Sequence, residues 1–547
     1  MKYLSLLCLL ALPACEPEPT APEDIEDGVV LLEARRQLIR LSVDLRGVHP
    51  SAAELDAIEA DASLYEAFAD RYLADPRFGD TVEEWFNLQY RTRTGEAYFS
   101  AEDAGLLGVS QDEVARSTND EPLKLIRHVA ENDLPWTEVV LADYSMADPL
   151  TAFMWDMDLL DGEPGYQRAR YRDGRPHAGV LSSTTLWQRY PSTGINGNRH
   201  RANNVSRMLL CEDYLARPVS FARSEVDSIV GGNPETIIRE TQICQSCHAS
   251  LDPLSAHFFG FWWEIDGDME DQTTYRAEDE GLWRYYSGKS PAYYGVATTG
   301  IREMAEHIAD DPRFTECATR QVFEALTHRD TSSVTRDELA LHHDAFVAGG
   351  LTVRELVKSV VLSREYRADS FADARVDTIP TVKMVSPRQL AGIVSAKTGY
   401  RWTFGGEEGL VTGARGLAVL AGGTDSRFVT NPSRDPSVGL AFVQERLAQA
   451  AAWHVASHDL ARERPDDPIL LSLVTVEDNP DNAPEAFDAQ MRQLYLDITG
   501  MPLAEDATEP AELVALYKTL LSIDESPVSA WAGIVSVVLR DPSIVLY

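Results

Sequence analysis

The sequence predicts a mainly α-helical, multidomain protein in which helical domains flank a loop-rich domain that carries a CxxCH motif. Apolar residues recur at spacings of three and four along most of the chain, which is the period of an amphipathic helix. Between about Gly162 and Gly300 this period breaks up, and glycine, proline and aromatic residues become frequent. A chain of 547 residues with 44% apolar side chains is long enough to form several cores.

These changes in pattern divide the chain into segments. The predicted segments are a signal peptide (1–14), a tether (15–26), an N-terminal helical domain (27–160), the loop-rich domain (161–299), a helical domain (300–375) and a C-terminal helical domain (376–547). A glycine-rich stretch at 403–428 lacks the Gly-Lys-Ser/Thr ending of a phosphate-binding loop. We therefore predict loop structure there and no nucleotide site.

Capping residues mark several helix boundaries. The first long apolar pattern starts at Val29, and we expect its helix to end at Gly47, because glycine readily adopts the left-handed conformation that closes a helix. Ser51 and Glu54 form a capping-box pattern at the start of the next helix. Ser386 followed by proline marks another helix start.

The N-terminus has the features of an export signal. Lys2 precedes an apolar run too short to span a bilayer, which is typical of a signal peptide. The run ends in Leu12-Pro13-Ala14-Cys15, which resembles the lipobox of bacterial lipoproteins and implies lipidation of Cys15. The acidic, proline-rich residues that follow are typical of a flexible tether. We expect a protein of the cell envelope of a diderm bacterium, anchored by lipid in the outer membrane on its periplasmic or surface face; the alternative is an ordinary secretory signal with a chance cysteine.

The charge of the chain excludes some partners. A formal net charge of −38 and a pI near 4.6 argue against nucleic acid and against an anionic membrane surface as binding partners. The membrane contact that we expect is therefore the lipid anchor alone.

Six cysteines limit the possible bonds. Cys8 leaves with the signal peptide and Cys15 carries lipid. If the CxxCH cysteines bind a group, Cys211 and Cys317 remain as one pair in an oxidising compartment. A disulfide between them would close a loop of about a hundred residues and contribute about 4–5 kcal/mol in the chain-entropy model. The alternative is two buried thiols.

The motif Cys244-Gln-Ser-Cys247-His248 predicts a c-type haem site. Two thiols three positions apart suit the two vinyl groups of the porphyrin, and the histidine after them suits the iron as its proximal ligand. A short helix can present all three groups, and covalent attachment takes place outside the cytoplasm. A structural disulfide between Cys244 and Cys247 is the main alternative. A zinc site would need two further ligands at comparable spacing, and the sequence offers none.

The residues after the motif suggest how a haem would be held. We interpret Asp252-Pro253 as a turn. A backbone carbonyl is the more usual acceptor for Nδ1 of the histidine, and the carboxylate of Asp252 is the alternative. The densest aromatic cluster of the chain follows, and it would exclude water. A sixth iron ligand is left open between a five-coordinate iron and several candidates: His257, Met269 and Met304 after the motif, and His200 and Met208 before it. We expect core packing for Met304 and a solvated loop around His200.

The stretch CQSCHASLDPLSAHFFGFW resembles the C-x-x-C-H-x-x-(L/I/M)-D-P-L signature of planctomycete-type cytochrome domains, which occur in large exported proteins. The preceding segment, with its Leu-Leu-Cys, is similar to the same domain and places Cys211 on a family cysteine. FTECATRQVFEALTHRD resembles a companion domain and places Cys317 likewise. Ser255 stands where many members have glycine, and the sequence Asn-Arg-His-Arg at 198–201 also departs from the family pattern. The resemblance implies a cytochrome-like domain with haem c on a surface protein, often encoded beside exported sulfatase-like partners, but it implies no reaction.

We therefore expect electron transfer at the cell envelope, with one haem c and a redox partner protein. Two alternatives are a haem oxidoreductase acting on an extracellular substrate and a haem-free scaffold lipoprotein with a CxxC disulfide. We do not expect a hydrolase, because the sequence has no HExxH, paired-carboxylate or Ser-His-Asp pattern.

Overall fold

The computed structural model describes residues 28–218, 237–238, 241–261, 274–329, 334–372, 375, 379–461 and 466–547. The prediction of a mainly helical, multidomain-like chain is confirmed, with 58% helix and 6% strand. The signal peptide, Cys15 and the tether lie outside the described residues. Within them, none of the helices is both long enough and apolar enough to cross a membrane.

Within the described residues, 23 α-helices follow one another along the chain. The first ten are α1 (Ala34–Arg46), α2 (Ala52–Ala60), α3 (Tyr65–Leu73), α4 (Pro76–Tyr90), α5 (Gln111–Asn119), α6 (Glu121–Glu131), α7 (Glu138–Leu141), α8 (Pro149–Met154), α9 (Thr184–Arg189) and α10 (Arg199–Leu210). The next six are α11 (Gln242–Ser255), α12 (Trp283–Tyr286), α13 (Ile301–Asp310), α14 (Pro312–Thr327), α15 (Arg336–Ala348) and α16 (Val353–Val361). The last seven are α17 (Pro387–Thr398), α18 (Gly409–Thr412), α19 (Leu417–Leu420), α20 (Val438–Asp459), α21 (Pro484–Thr499), α22 (Glu509–Asp524) and α23 (Pro527–Val538).

The strands are short and form antiparallel sheets of two or three strands. They are β1 (Val29–Leu31), β2 (Ser145–Ala147), β3 (Met157–Leu159), β4 (Gln167–Tyr171), β5 (Ala292–Tyr293), β6 (Val296–Ala297), β7 (Ala368–Phe371), β8 (Thr403–Phe404) and β9 (Glu407–Glu408). The three-stranded sheet has the order β2-β4-β3, and β1 pairs with β7 across more than 300 residues of chain.

The predicted helix caps are confirmed at three positions. Helix α1 ends at Gly47, which has φ +68° and donates its N–H to the carbonyl of Val43. Ser51 and Glu54 form the reciprocal capping box of α2. Ser386 caps α17 with Pro387 at the first helical position. The expected start of the first helix at Val29 is wrong, because residues 29–31 pair with β7 instead and the helix begins five residues later.

The glycine-rich stretch at 403–428 is only partly loop. It contains the β8–β9 hairpin and the short helices α18 and α19, separated by residues with positive φ such as Gly413 and Gly416. The prediction of loop structure throughout is therefore wrong. Glycine permits the repeated left-handed conformations that let such short helices turn sharply into one another.

One large apolar cluster runs through most of the described chain. Its members range from Leu38 in α1 to Val545 near the end of the sequence, and they include side chains from each predicted domain. The domain boundaries at 160/161, 299/300 and 375/376 stay predictions. The CxxCH helix, α11, packs against α10, contributes Leu251 and Leu254 to this cluster and also contacts it through Cys247.

Candidate functional site

The CxxCH motif lies on a helix, as predicted. Helix α11 carries Cys244, Cys247 and His248, all of them half-buried. At about 100° of rotation per residue, these three positions share an arc of about 100° on one face of the helix. Neither cysteine takes part in a disulfide. Two thiols and an imidazole are thus presented together along about one turn.

The expected turn at Asp252-Pro253 is wrong, because α11 continues to Ser255. A proline in the last helical turn removes only one backbone hydrogen bond. The hydroxyl of Ser255 donates to the carbonyl of Asp252 at 2.7 Å, which satisfies one of the terminal carbonyls. The chain then tightens into a 3-10 helix at Ala256–Phe261.

Asp252 holds the imidazole of His248, so the acceptor is the carboxylate and not the more usual backbone carbonyl. Nδ1 of His248 lies 2.8 Å from Oδ1 of Asp252, one helical turn further on. Arg199 of α10 donates to the two oxygens of the same carboxylate, at 2.7 Å from Nε and 3.3 Å from Nη2. The Asp252 side chain is only 5% exposed, so this chain of contacts is poorly screened by water.

The protonation states follow from these contacts. Burial acts to raise the pKa of Asp252, but the hydrogen bonds from His248 and Arg199 outweigh burial and the pKa is lowered. Asp252 is therefore a carboxylate, which can only accept hydrogen bonds. Nδ1 of His248 must then carry the proton. Nε2 makes no hydrogen bond to any described residue, so it is the ring nitrogen that is available to bind a metal ion.

This donor set fits a c-type haem. A histidine that binds a metal through one ring nitrogen characteristically donates the other N–H to a carboxylate or carbonyl. His248 has that arrangement, and both thiols of the motif lie on its face of the helix. Within the described ranges, no group of three or more His, Cys, Asp or Glu side chains is placed to hold a metal ion. A haem iron needs only one imidazole from this segment.

The candidates for a sixth ligand have other contacts or lie outside the described chain. Both ring nitrogens of His257 are engaged, Nδ1 with the carbonyl of Leu254 at 2.9 Å and Nε2 with the hydroxyl of Thr298 at 2.6 Å. Burial lowers the pKa of His257 to about 4, so the ring is neutral. Met304 is fully buried on α13, which confirms core packing. Met269 lies outside the described residues.

Helix α10 contains His200, where the sequence predicts a solvated loop, and that prediction is wrong. Residues 199–210 are helical, and the ring of His200 packs edge-on against Tyr190 at 5.5 Å. Arg201 is 1% exposed. Arg201 precedes Val205 and Met208 by four and seven positions, a helical spacing that could have identified its buried face.

Arg201 fixes the backbone that follows α11. Its guanidinium donates to the carbonyls of Phe261 at 2.5 Å and Tyr190 at 3.0 Å. No carboxylate of the described chain pairs with it, and burial lowers its pKa to about 9. Arg199 thus joins α10 to the last turn of α11, and Arg201 joins α10 to the end of the 3-10 helix that follows.

The aromatic cluster predicted after the motif is buried where it is described. Phe258 and Phe261 pack on Trp187 and Tyr275, with ring centroids 4.7 and 5.0 Å apart in the two closest pairs. Trp262 and Trp263 lie outside the described residues. These contacts bury the aromatic side chains of the 3-10 helix against Trp187 and Tyr275.

The predicted disulfide between Cys211 and Cys317 is confirmed. Cys211 closes α10 with φ +54°, and Cys317 is a buried residue of α14, with their Cα atoms 5.3 Å apart. The bond therefore ties the helix that supports His248 to the helical region that follows the loop-rich domain.

Comparison with known proteins gives no match: no family model fits the chain, and no curated protein or solved structure is significantly similar to it. The resemblance to planctomycete-type cytochrome domains therefore stays a prediction.

Proposed function

We propose that the protein is a lipid-anchored c-type cytochrome that transfers electrons at the cell envelope, with residues 161–299 as its cytochrome-like domain. The observation that carries this proposal is the state of His248. Asp252 fixes its Nδ1, while Nε2 has no hydrogen bond to a described residue, beside two thiols on one helical face. The lipid anchor rests on the sequence at Cys15.

Each residue of the motif has a distinct role in the proposal. Cys244 and Cys247 would hold the porphyrin through two thioether bonds, and His248 would bind its iron through Nε2. A haem, when bound, supplies a one-electron Fe(III)/Fe(II) couple. Asp252 and Arg199 orient the imidazole, and the buried aromatic side chains exclude water from that side of the helix.

Electron transfer is favoured over chemistry on a substrate. The described contacts around α11 are those of a support: an oriented imidazole, a buried guanidinium bound to carbonyls, and packed aromatic rings. A redox partner protein would exchange electrons with the haem. An exported sulfatase-like protein is a candidate for that role through the family resemblance only.

Export of the full chain with the cytochrome c maturation machinery tests the proposal. The expected result is a pyridine haemochrome spectrum with one haem per chain that survives denaturation and extraction with acidified organic solvent. The variant Cys244→Ser/Cys247→Ser should lose this haem while keeping the Cys211–Cys317 disulfide and its cooperative unfolding. A folded, exported wild-type protein without a covalent haem spectrum would overturn the proposal.

A further inference from the structure

A cleft of about 540 Å³ lies between the N-terminal helices and the C-terminal part of the chain. One wall is helix α4, and the opposite walls are the start of α17 and the glycine-rich segment 403–428. None of the residues that line it belongs to α11. Cavities of this size commonly bind small molecules, so the cleft is a candidate second site.

In the lining of this cleft, Arg388 lies between the carboxylates of Asp80 and Glu84 without a close bond to either. Nη1 of Arg388 is 3.8 Å from Oδ2 of Asp80, and its Nε is 3.7 Å from Oε2 of Glu84. Both distances exceed those of hydrogen bonds. Among the described residues, the Arg388 guanidinium donates no hydrogen bond and the Glu84 carboxylate accepts none. Both side chains are about one-third exposed or less, at 27% and 30%.

The preceding residue, Glu83, has close ion-pair partners, in contrast to Glu84. Glu83, also on the cleft wall, is 1% exposed and is bound by Arg93, Lys124 at 2.7 Å and Arg127 at 3.1 Å. Its hydrogen-bonding capacity is filled, whereas that of Arg388 and Glu84 is not. The cleft thus keeps a strong donor and a strong acceptor available side by side.

Charges of both signs surround this pair. Asp80 and Glu84 face Arg388, and Nη1 of Arg127 lies 2.5 Å from Asp80. Further charged residues of both signs line the cleft, among them Arg116, Arg434, Glu407 and Asp425. A small anion would meet two carboxylates, and a small cation would meet the guanidinium. A neutral ligand that both donates and accepts hydrogen bonds avoids both penalties. A hydroxyl group does both.

An aromatic side chain lies beside these groups. Trp85 follows Glu84 on α4, lines the cleft and is half-buried. Its ring is held edge-on against Phe78, with centroids 6.1 Å apart and an interplanar angle of 78°. A fixed indole gives an apolar surface for the C–H face of a sugar ring.

We propose that this cleft binds a neutral saccharide. Arg388 and Glu84 hydrogen-bond to adjacent hydroxyl groups, and Trp85 packs against a sugar ring. The proposal does not depend on the haem, since none of these residues belongs to the CxxCH segment.

Calorimetric titration of the full exported chain with a panel of neutral tetrasaccharides of glucose, mannose, galactose and xylose tests the proposal, with intrinsic fluorescence as a second readout. At least one saccharide should bind. Arg388→Gln and Glu84→Gln should each weaken its binding by about tenfold or more. Trp85→Phe should weaken binding and also abolish most of the fluorescence change.

Arg354→Gln is the matched control, because Arg354 pairs with Asp133 at 2.8 Å outside the cleft. It should bind the saccharide as wild type does, and thermal unfolding should show that all variants are folded. Binding no tighter than about 10 mM for every saccharide would overturn the proposal. So would unchanged affinity in Arg388→Gln and Glu84→Gln, or binding of inorganic phosphate, spermidine or glycine in place of saccharide.

Discussion

Replacement of Asp252 by asparagine tests whether this carboxylate tunes the iron ligand. The change keeps the size of the side chain and a carbonyl acceptor for Nδ1 of His248, but it removes the charge. A hydrogen bond to a charged group contributes about 1.5–3 kcal/mol and a neutral one about 0.5–1.5 kcal/mol, so roughly 1 kcal/mol is lost. The oxidised haem iron carries one more positive charge than the reduced iron, so the lost hydrogen-bond energy destabilises mainly the oxidised state. The one-electron reduction potential should then rise by about 40–60 mV.

The opposite perturbation should have the opposite sign. Arg199→Gln removes the cation that neutralises Asp252, so the carboxylate stabilises the oxidised state more strongly and the potential falls by a few tens of mV. Spectroelectrochemical titration of the haem-loaded protein measures both changes.

A matched control separates the effect of Asp252 on the haem potential from the general effect of removing one negative charge from the protein. Glu338 pairs with the buried Arg329 at 2.5 Å in another part of the fold, and Glu338→Gln should leave the potential unchanged. Potentials that move in the same direction in Asp252→Asn and Arg199→Gln, or that stay within about 10 mV of wild type in both, would refute the reasoning.

Three further predictions concern stability, each read from urea unfolding. Loss of the Cys211–Cys317 bond in a double serine variant should lower the free energy of unfolding by about 4 kcal/mol, and an unchanged value would contradict the loop-closure argument. The pKa of Glu83 is lowered to about 2, because its ion pairs outweigh the effect of burial. Ionised Glu83 therefore stabilises the folded protein at pH values above its unfolded pKa near 4.5, and this stabilisation is lost as the pH falls towards 2. Glu83→Gln should abolish about 3 kcal/mol of that acid dependence; a parallel pH profile would be inconsistent with the assignment. Gly179→Ala should lower the free energy of unfolding by more than about 3 kcal/mol, because the added Cβ would collide with a backbone carbonyl. Gly174 also has a positive φ but lies in open space, so Gly174→Ala should lower it by about 1 kcal/mol. Equal losses in the two variants would argue against the collision.

Local signals in the sequence predicted much of the fold. The cap at Gly47 and the capping box at Ser51 depend on residues within one turn, and both are confirmed. The helical placement of the CxxCH motif is likewise confirmed. The hydrogen bond from His248 to Asp252 forms because this helix continues through Pro253, where the sequence predicts a turn, and so brings residues four apart onto one face.

Features that depend on distant parts of the chain could not be predicted in this way. The strand at residues 29–31 forms because a partner is available at residues 368–371, and local helical periodicity carries no information about that partner. The ion pair between Arg199 and Asp252 joins residues 53 positions apart, and no local pattern links them. The cleft likewise brings Glu84 together with Arg388, and no sequence pattern links these positions.

The mass of the peptide that contains residues 244–248, released from the folded and exported protein, tests the central claim most directly. We expect this peptide to carry the mass of one haem, bound through both cysteines, while Cys211 and Cys317 remain linked to each other. An unmodified peptide, or one lighter by two hydrogens because its two cysteines are joined, would contradict the account.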